Sequence, residues 1–269
     1  MKKLSFSFLV LLFLSSCSLS PATPLAFEQQ VGTQVSISKT ATSISSREKT
    51  VISSTQTSTV TLQIKPTGTA SIEDPKKALG TPNWLDTLNS GKNWSLESGV
   101  ETINNTQIST ENGFLVMTQN IATGGKTWWL NYLTIQDFYM DAKFIAQNCS
   151  GTDQYGLVFR APNYDDGYGY YFTITCDGRF TLMKWDSLGA TNLFSLEQSP
   201  EIISGPNQVN EIGIWMKGSL IRLYANQKLL KEINDGSLTN SGHFGVFIDA
   251  RETPGFTIMM DQIEYWELK

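Results

Sequence analysis

One histidine, His243, occurs in the 269 residues, and this limits the chemistry that the chain can perform. Metal sites built from several histidines are excluded. A Ser-His-Asp triad would depend on this single imidazole, and no serine lies in the Gly-x-Ser-x-Gly pattern that exposes a nucleophile. His243 follows Ser241-Gly242 just before an apolar run, which predicts a histidine in a surface loop rather than a catalytic base.

Carboxylate pairs are a second source of chemistry, because two carboxyl groups on one face can act as acid and nucleophile in glycoside hydrolysis. Glu264 and Glu267 are three residues apart, which places them on opposite faces of a strand. Asp165 and Asp166 lie in a Gly- and Tyr-rich turn, where we expect them to form the turn or to bind a cation. A further charged group follows an apolar run and comprises Asp249, Arg251 and Glu252. We expect a solvated or salt-bridged loop there, with a catalytic pair as the alternative.

Aromatic rings and arginines offer a third kind of chemistry, since proteins hold sugars by stacking rings on their apolar faces and aiming polar groups at their hydroxyls. Alternation along the apolar runs places one such set on the side away from the core. The set comprises Arg160, Tyr171, Trp215, Arg222 and Tyr224. We predict that it forms the floor of a carbohydrate groove; the alternative is that strand propensity alone explains the rings. Other candidate platforms are Trp128, Trp129, Tyr164, Tyr168 and Trp185.

Strands must position these side chains. From about residue 82 to residue 269, apolar residues recur with period two and turn residues separate the runs. The clearest runs are Asp137 to Ala146, Tyr168 to Thr175, Arg179 to Trp185 and Glu211 to Met216. The alternation predicts a core that includes Leu157, Phe159, Tyr170, Phe172, Ile174, Ile212, Ile214, Ile221 and Leu223. Ten or more short strands without a long amphipathic helix predict an all-β, antiparallel two-sheet sandwich, with a barrel as the alternative.

The segment before the sandwich, residues 17–75, has a different composition. It is rich in Ser and Thr and contains neither Trp nor Tyr. Such a stretch buries too little apolar surface to offset the entropy of ordering it, so we predict a disordered stalk. A marginal strand from Thr59 to Lys65 is the alternative, and Glu73 to Thr81 is long enough for a short helical turn.

The first 16 residues have the three parts of a signal peptide, with a basic start at residues 1–3 and an apolar run at residues 4–14. The ending Leu14-Ser-Ser-Cys17 resembles the lipobox of bacterial lipoproteins. The resemblance implies cleavage before Cys17, lipidation of its thiol and a durable membrane anchor. Because Ser18 rather than an Asp follows, we expect the cell surface or the outer membrane. An ordinary secretory signal is the alternative.

Two further cysteines, Cys149 and Cys176, end candidate strands that flank the strand from Tyr155. An exported protein meets oxidising conditions, so we predict a disulfide between them. Strands once removed in a sheet are ~10 Å apart, which is wider than a disulfide spans. The bridge would therefore require loop residues to lean together over Ser150-Gly151. Two free buried thiols are the alternative.

The charge balance restricts the partners. The chain carries 20 Lys and Arg against 25 Asp and Glu, a net charge of −5. A protein that binds nucleic acid mainly by neutralising phosphates needs a basic surface, so nucleic acid is not an expected partner.

Several strand sequences together resemble a known class of domain. They are Tyr155-Gly-Leu-Val-Phe-Arg160, Asp177-Gly-Arg-Phe-Thr-Leu-Met-Lys-Trp185, Gly242-His-Phe-Gly-Val246 and Met260-Asp-Gln-Ile263. They resemble the concanavalin A-like, laminin G-like jelly rolls of bacterial surface proteins, and in particular the 3-keto-disaccharide hydrolase domain, or domain of unknown function 1080. The resemblance covers residues 82–269 and implies two curved sheets that contact glycan on the concave face or along one edge.

The same resemblance bears on metal and catalysis. Related jelly rolls hold a structural calcium with an Asp of the last strand, and Asp261 matches that position. Calcium would need several further oxygens, and a hydrogen bond or a solvated edge is the alternative. No other cofactor is expected. Glycosidases of this fold carry Glu-x-Asp-x-x-Glu on one strand, a pattern that this sequence lacks.

The sequence thus favours a monomeric, membrane-anchored lipoprotein whose jelly roll binds carbohydrate without cleaving it. An enzyme that acts on 3-keto-glycosides or related sugars is one alternative, motivated by the resemblance alone. A structural or adhesion domain that binds protein is the other.

Overall fold

The computed structural model describes residues 75–269 except residues 123 and 124. The predicted signal peptide, the lipidation site Cys17 and the predicted stalk up to residue 74 lie outside the described residues. No helix in the described part of the chain is long and apolar enough to cross a membrane.

The described chain is made almost entirely of strands. One short helix, α1 (Lys76–Leu79), comes first, and a 3-10 turn, Gly91–Trp94, follows the first strand. The strands are β1 (Trp84–Asp86), β2 (Glu101–Ile103), β3 (Thr106–Glu111), β4 (Phe114–Gln119), β5 (Thr127–Ile135), β6 (Phe138–Gln147), β7 (Gln154–Ala161), β8 (Gly169–Thr175), β9 (Arg179–Asp186), β10 (Gly189–Asn192), β11 (Glu197–Gln198), β12 (Gln208–Lys217), β13 (Leu220–Ala225), β14 (Lys228–Asn234), β15 (Gly242–Asp249) and β16 (Phe256–Glu267).

The strands form two antiparallel sheets. The nine-stranded sheet has the order β14-β13-β12-β6-β16-β4-β3-β2, with β1 paired to β16. The seven-stranded sheet has the order β10-β9-β8-β7-β15-β5, with β11 paired to β9. Neighbours that are distant in sequence, such as β6 beside β16 and β7 beside β15, are typical of a jelly roll. The predicted all-β, two-sheet jelly-roll sandwich is confirmed.

The core lies between the two sheets and follows the predicted alternation. Side chains from both inner faces form one apolar cluster. The residues predicted for the core all belong to it: Leu157, Phe159, Tyr170, Phe172, Ile174, Ile212, Ile214, Ile221 and Leu223. Strands β7 and β8 are nevertheless buried along their whole length, on both faces. The outer face of the seven-stranded sheet must therefore be covered as well.

The predicted disulfide between Cys149 and Cys176 is confirmed, with 5.7 Å between the two Cα atoms. The expected geometry was wrong, because it placed both cysteines at one edge of a single sheet. Cys149 follows β6 of the nine-stranded sheet, whereas Cys176 follows β8 of the seven-stranded sheet. The bridge therefore joins the ends of the two sheets, and the two cysteines do not have to approach each other across an intervening strand.

The helical turn α1 packs on the outer face of the nine-stranded sheet. Leu79 contacts the cluster formed by Tyr139, Tyr224 and Trp266, and Trp266 donates its indole hydrogen to the carbonyl of Gly80 at 2.8 Å. The folded part of the chain thus includes residues before 82, the first residue expected for the sandwich.

Candidate functional site

The outer face of the seven-stranded sheet is strongly concave. Trp128 on β5 and Trp185 on β9 are four strand positions apart in the sheet order. Four strand spacings on a flat sheet amount to about 19 Å. The two indole centroids are 5.5 Å apart, so the sheet curls and both rings lean inward over it.

The two indoles cap an apolar ridge on this concave face. Tyr171 is fully buried beneath them, with its ring 5.3 Å from Phe247 and 6.3 Å from Trp185. The rest of the ridge is formed by Leu130, Val158, Ala161 and Met183. Burial raises the pKa of the Tyr171 phenol, which stays protonated at neutral pH. We call this cluster the aromatic ridge.

The loop between β7 and β8 folds against the ridge. Gly167 has a φ of +68°, and a Cβ at this position would lie 2.7 Å from Cη2 of Trp128. Glycine is therefore required both by the backbone conformation and by the close approach of the indole. The loop holds Trp128 in place from outside.

One side of the ridge opens into a depression of about 240 Å³, which we call the polar pocket. Met183 and Phe247 of the ridge supply part of its wall. Its polar lining consists of Lys126, Gln154, Thr173, Thr181, Asn192 and Arg251.

Most of these polar groups have no partner within the described residues. Thr173 is 2 % exposed, and its hydroxyl makes no hydrogen bond to any described residue. The amides of Gln154 and Asn192 and the ammonium group of Lys126 likewise have no partner in the described part of the chain. Thr181 differs, since its hydroxyl donates to the carbonyl of Phe194 at 2.8 Å. A buried hydroxyl without a partner costs about 1–3 kcal/mol, so the Thr173 hydroxyl does not contribute to the stability of the fold.

The charges around the polar pocket are fixed by the loop after β15. Arg251 donates from Nε to Oδ2 of Asp249 at 2.8 Å, which leaves its terminal amino groups without a partner among the described residues. Asp153 accepts three backbone hydrogens of this loop, from Arg251, Glu252 and Thr253. Glu252 accepts from the backbone of Thr152 at 2.7 Å. The expected salt-bridged loop is thus confirmed.

On its other side the ridge borders a larger depression of about 450 Å³, which we call the aromatic pocket. Trp128 and Leu130 belong both to the ridge and to the wall of this pocket. Its other rings are Trp94, Trp129 and Tyr164, with Asp165 at the margin. The aromatic pocket and the polar pocket share no lining residue, so the ridge separates them.

Four contacts fix the aromatic pocket. Trp129 donates its indole hydrogen to the carbonyl of Trp94 at 2.7 Å. The ring of Tyr164 lies on His243 with 4.4 Å between centroids, and His243 Nδ1 is 3.1 Å from the carbonyls of Asn131 and Leu133. The expectation of a loop histidine was therefore wrong: His243 lies within β15, where it supports an aromatic platform.

The arrangement is similar to solved structures of the same fold. A protein of unknown function with a galectin-like fold from Bacillus subtilis matches at 12 % identity, with a TM-score of 0.53 over 70 % of this chain and 96 % of that chain. The catalytic domain of an endo-1,3-beta-glucanase (laminarinase) from Thermotoga petrophila matches at 10 % identity, with a TM-score of 0.50 over 70 % of this chain and 98 % of that chain. A carbohydrate binding module from Bacillus subtilis matches at 14 % identity, with a TM-score of 0.45 over 70 % and 98 %.

The fold is a galectin-like jelly roll. No protein-family model matches the chain, and no curated protein matches it either. At these identities the likeness concerns the fold alone.

The five residues predicted as one groove floor do not lie together, and that part of the prediction was wrong. Arg160 and Tyr171 belong to the seven-stranded sheet, whereas Trp215, Arg222 and Tyr224 belong to the nine-stranded sheet. Alternation tells which side chains point away from the core, but each sheet of a sandwich has its own outer face. The predicted set therefore combined side chains from two opposite surfaces.

Each surface uses its members differently. Tyr171 is the buried base of the aromatic ridge, so it supports the concave face from beneath. Tyr224 is buried against Tyr139, with 5.9 Å between the ring centroids. Arg222 lies over the Trp215 ring at 5.9 Å and pairs with Glu232 at 2.7 Å.

Arg160 was expected to point outward, and this was also wrong. Its φ is +56°, at a point where the pairing of β7 with β15 shifts register. The irregularity turns its side chain into the end of the sandwich, where it is fully buried. There it pairs with Asp137 at 3.1 Å and donates to the carbonyls of Thr239 and Asn240. Arg160 therefore ties the two sheets together.

The remaining candidates have local partners. Asp261 accepts from Lys143 at 2.8 Å, and no group of three or more metal-binding side chains occurs in the described residues. The structural calcium stays a prediction. Asp165 and Asp166 donate their backbone hydrogens to Asn163 Oδ1 at 3.0 Å, as expected for turn residues.

The outer face of the nine-stranded sheet carries a second polar cluster. Nζ of Lys76 lies 3.1 Å from Asp141, 3.0 Å from Glu211 and 2.6 Å from Glu264. Burial, and then the charge of Glu211, raise the pKa of Asp141 well above its usual range. Burial works in the same direction on Glu211, but hydrogen bonds from Asp141 and Lys76 outweigh it and lower the pKa of Glu211.

Sequence reasoning missed several residues of the concave face. Alternation does place Thr173 on the side of Tyr171, but it carries no sign that the hydroxyl lacks a partner. Lys126, Gln154 and Asn192 stand at strand ends, where period two gives little information. The tryptophans of β5 were recognised as candidate platforms, although the strand that carries them was not.

Proposed function

We propose that this jelly roll binds carbohydrate at the concave face of the seven-stranded sheet and does not cleave it. The observation that carries the proposal is the pair of pockets on either side of the aromatic ridge. One presents aromatic rings, and the other presents polar groups that the described part of the chain leaves unused.

The two pockets offer the two kinds of contact that an oligosaccharide makes, each to a different sugar residue of the bound glycan. The apolar C–H face of a pyranose stacks on an aromatic platform, and Trp128 and Tyr164 offer rings at the aromatic pocket. The hydroxyl rim needs donors and acceptors that are free to pair, and the polar pocket offers Gln154, Thr173 and Asn192. The scaffold is rigid, since the disulfide and the buried ridge hold both sides of the face. A rigid site loses little conformational entropy when it binds.

The carboxylates argue against glycoside hydrolysis at this face. Among the described floor residues of β5, β7, β8, β9 and β15, one carboxylate, Asp249, lies on the concave side, and Arg251 already holds it. Retaining glycosidases use two carboxyl groups about 5–5.5 Å apart, and inverting enzymes use two about 6.5–9.5 Å apart. The fold itself is compatible with either binding or hydrolysis of carbohydrate, as its likeness to a laminarinase catalytic domain illustrates.

The membrane anchor completes the proposal. Lipidation of Cys17 would fix the protein to the cell surface or the outer membrane, and the Ser/Thr-rich segment would hold a monomeric jelly roll away from the lipid. In this arrangement the protein keeps glycan close to the cell. Replacing Cys17 by Ala should release it from membranes.

A glycan array followed by calorimetry tests the proposal. The full chain, purified in detergent, should bind at least one class of oligosaccharide. Tyr164→Ala and Trp128→Ala should each weaken that binding by about fivefold or more, since a ring contact of this kind contributes on the order of 1 kcal/mol. Tyr164 is 50 % exposed, so its removal leaves the core intact.

Trp215→Ala is the matched control, because Trp215 is a partly buried tryptophan on the opposite sheet. It should leave the affinity unchanged. The absence of any glycan binding, or an equal loss in Trp215→Ala, would contradict the proposal. Release of shortened oligosaccharides during incubation would favour the enzyme alternative.

A further inference from the structure

The charges of the polar pocket are asymmetric. Among the residues that the structure describes, its lining includes two cationic side chains, Lys126 and Arg251, and no carboxylate. The acidic partner of Arg251 is Asp249, which is 4 % exposed and binds Arg251 through Nε. The pocket therefore has an excess of positive charge on a protein whose net charge is −5.

The positive charge is also available. Lys126 has no partner among the described residues, and the terminal amino groups of Arg251 have none either. Asp249 orients the guanidinium group without using the edge that could receive a ligand. Cationic groups that form charge-assisted hydrogen bonds to a carboxylate bind it more strongly than neutral donors bind a hydroxyl.

We propose that the polar pocket takes a sugar residue that carries a carboxylate, so that the bound glycan is an acidic one. Lys126 and Arg251 bind the carboxylate, and Thr173, Gln154 and Asn192 bind the ring hydroxyls. This inference rests on the proposed function and names the class of sugar that it selects.

The size of the pocket limits what enters it. About 240 Å³ is below the ~300–1,000 Å³ that drug-sized ligands occupy. One sugar residue fits this volume. Because the aromatic ridge closes the pocket toward Trp128, the adjoining part of the glycan has to leave on the solvent side.

The buried Thr173 hydroxyl is the second, independent observation. Thr173 lines the pocket, and its buried hydroxyl has no partner in the described chain. A ligand hydroxyl that pairs with it removes the cost of leaving it unpaired. This gain is available only to a polar ligand that reaches the floor of the pocket.

Calorimetry with matched probes tests the inference. The probes are trigalacturonic acid, the methyl ester of the same trisaccharide, a neutral glucan trisaccharide and a sulfated disaccharide, each added to the full chain in detergent. We expect the acid to bind at least tenfold more tightly than its ester. The affinity for the acid should also fall as NaCl is raised from 50 to 500 mM, because salt screens the charges.

Single variants test whether the polar pocket causes the preference for the acid over its ester. Lys126→Gln should weaken binding of the acid by about fivefold or more and leave binding of the ester unchanged. Thr173→Val should weaken both, because it removes a contact to the ring rather than to the carboxylate. Lys228→Gln, a change of an exposed lysine on β14, is the charge-matched control and should have no effect.

The outcomes separate this inference from the proposed function. Equal binding of acid and ester, or an unchanged affinity for the acid in Lys126→Gln, overturns the acidic sugar. If neutral glucan binds and Tyr164→Ala weakens it, the carbohydrate function still stands. Equal binding of the sulfated probe supports an anion pocket but overturns its assignment to a carboxylate. If no probe binds and the glycan array is also negative, both proposals fail.

Discussion

The outer faces of the two sheets contain similar residues but are completed in different ways. On the nine-stranded sheet, Tyr139, Tyr224 and Trp266 lie beneath α1, and Lys76 brings an ammonium group to three carboxyl groups. On the seven-stranded sheet the aromatic ridge is capped by its own indoles, and the hydroxyl of Thr173 remains unpaired. The first face is covered by a segment of the same chain, whereas on the second face the polar pocket is open to solvent.

The comparison teaches how to separate a structural surface from a binding surface in a fold of this kind. Aromatic content does not distinguish the two faces, since both bury large rings. Satisfaction of polar groups does, because folding tends to pair buried polar atoms and a ligand can supply a missing partner. Four perturbations should therefore affect the two faces unequally.

Removal of the disulfide has the largest expected effect. A bridge over a sequence separation of 27 residues is worth about 3–4 kcal/mol in the chain-entropy account. The double variant Cys149→Ala/Cys176→Ala should lower Tm by roughly 7–15 °C in calorimetry. The loop Cys149 to Asp153 supports the Arg251 loop, so affinity for glycan should fall as well. A normal affinity in this variant would show that the concave face is independent of the bridge.

Loss of the ammonium group on the closed face ranks second. Lys76→Met should destabilise the domain by about 2 kcal/mol, since three carboxyl groups lose their cation and the one-third exposure of Lys76 moderates the loss. Thermal melting should show a Tm lower by roughly 4–8 °C. Glycan affinity should stay as in the native protein, because the change lies on the opposite sheet. A large drop in affinity would contradict the separation of the two faces.

A substitution on the outer face of the seven-stranded sheet should raise the stability of the domain rather than lower it. Thr173→Val removes an unpaired buried hydroxyl, and it should raise stability by about 1 kcal/mol while weakening glycan binding. Thr106→Val is the matched control, because the Thr106 hydroxyl is buried and bonded to that of Thr127 at 2.9 Å. The control should lose about 1 kcal/mol and keep its affinity. Destabilisation in both variants would mean that Thr173 already has a structural partner.

The smallest expected effect concerns pH. Burial and the charge of Glu211 raise the pKa of Asp141 in the folded state. The stability that protonated Asp141 contributes is therefore fully present below pH ~3.9, the pKa of Asp in an unfolded chain, and is lost as the pH rises through the pKa of the folded state. Asp141→Asn removes this loss. The Tm of Asp141→Asn minus the Tm of the native protein should therefore increase by a few degrees between pH 4 and pH 7. A difference that does not change with pH would show that Asp141 does not titrate in this range.

The sandwich and its core could be predicted from the sequence because period-two alternation is set by strand geometry. Leu157 and Phe159, or Ile212 and Ile214, are placed correctly without any knowledge of the sheet to which they belong. The pairing of Cys149 with Cys176 was also correct, although the order of strands assumed for it was not. Chain order alone does not reveal that β6 and β8 belong to different sheets.

The candidate site could be predicted only in part, for physical reasons. Strand β5 places adjacent tryptophans on opposite faces, Trp128 on the ridge and Trp129 toward the core, so its sequence has no polar alternation to detect. The curl that brings Trp128 to Trp185 depends on the whole sheet. The side chain of Arg160 points inward because the pairing of β7 with β15 shifts register locally, and no residue type in the sequence indicates such a shift.

Tryptophan fluorescence during glycan titration tests the central claim most directly. Binding at the concave face should change the emission of the native protein, through indoles that line or border the pockets. The change should be reduced in Trp128→Phe, which removes one of the indoles that line the aromatic pocket, and kept in full in Trp215→Phe, since Trp215 lies on the opposite sheet. A signal that survives in Trp128→Phe and disappears in Trp215→Phe would place the ligand on the nine-stranded sheet and contradict the account.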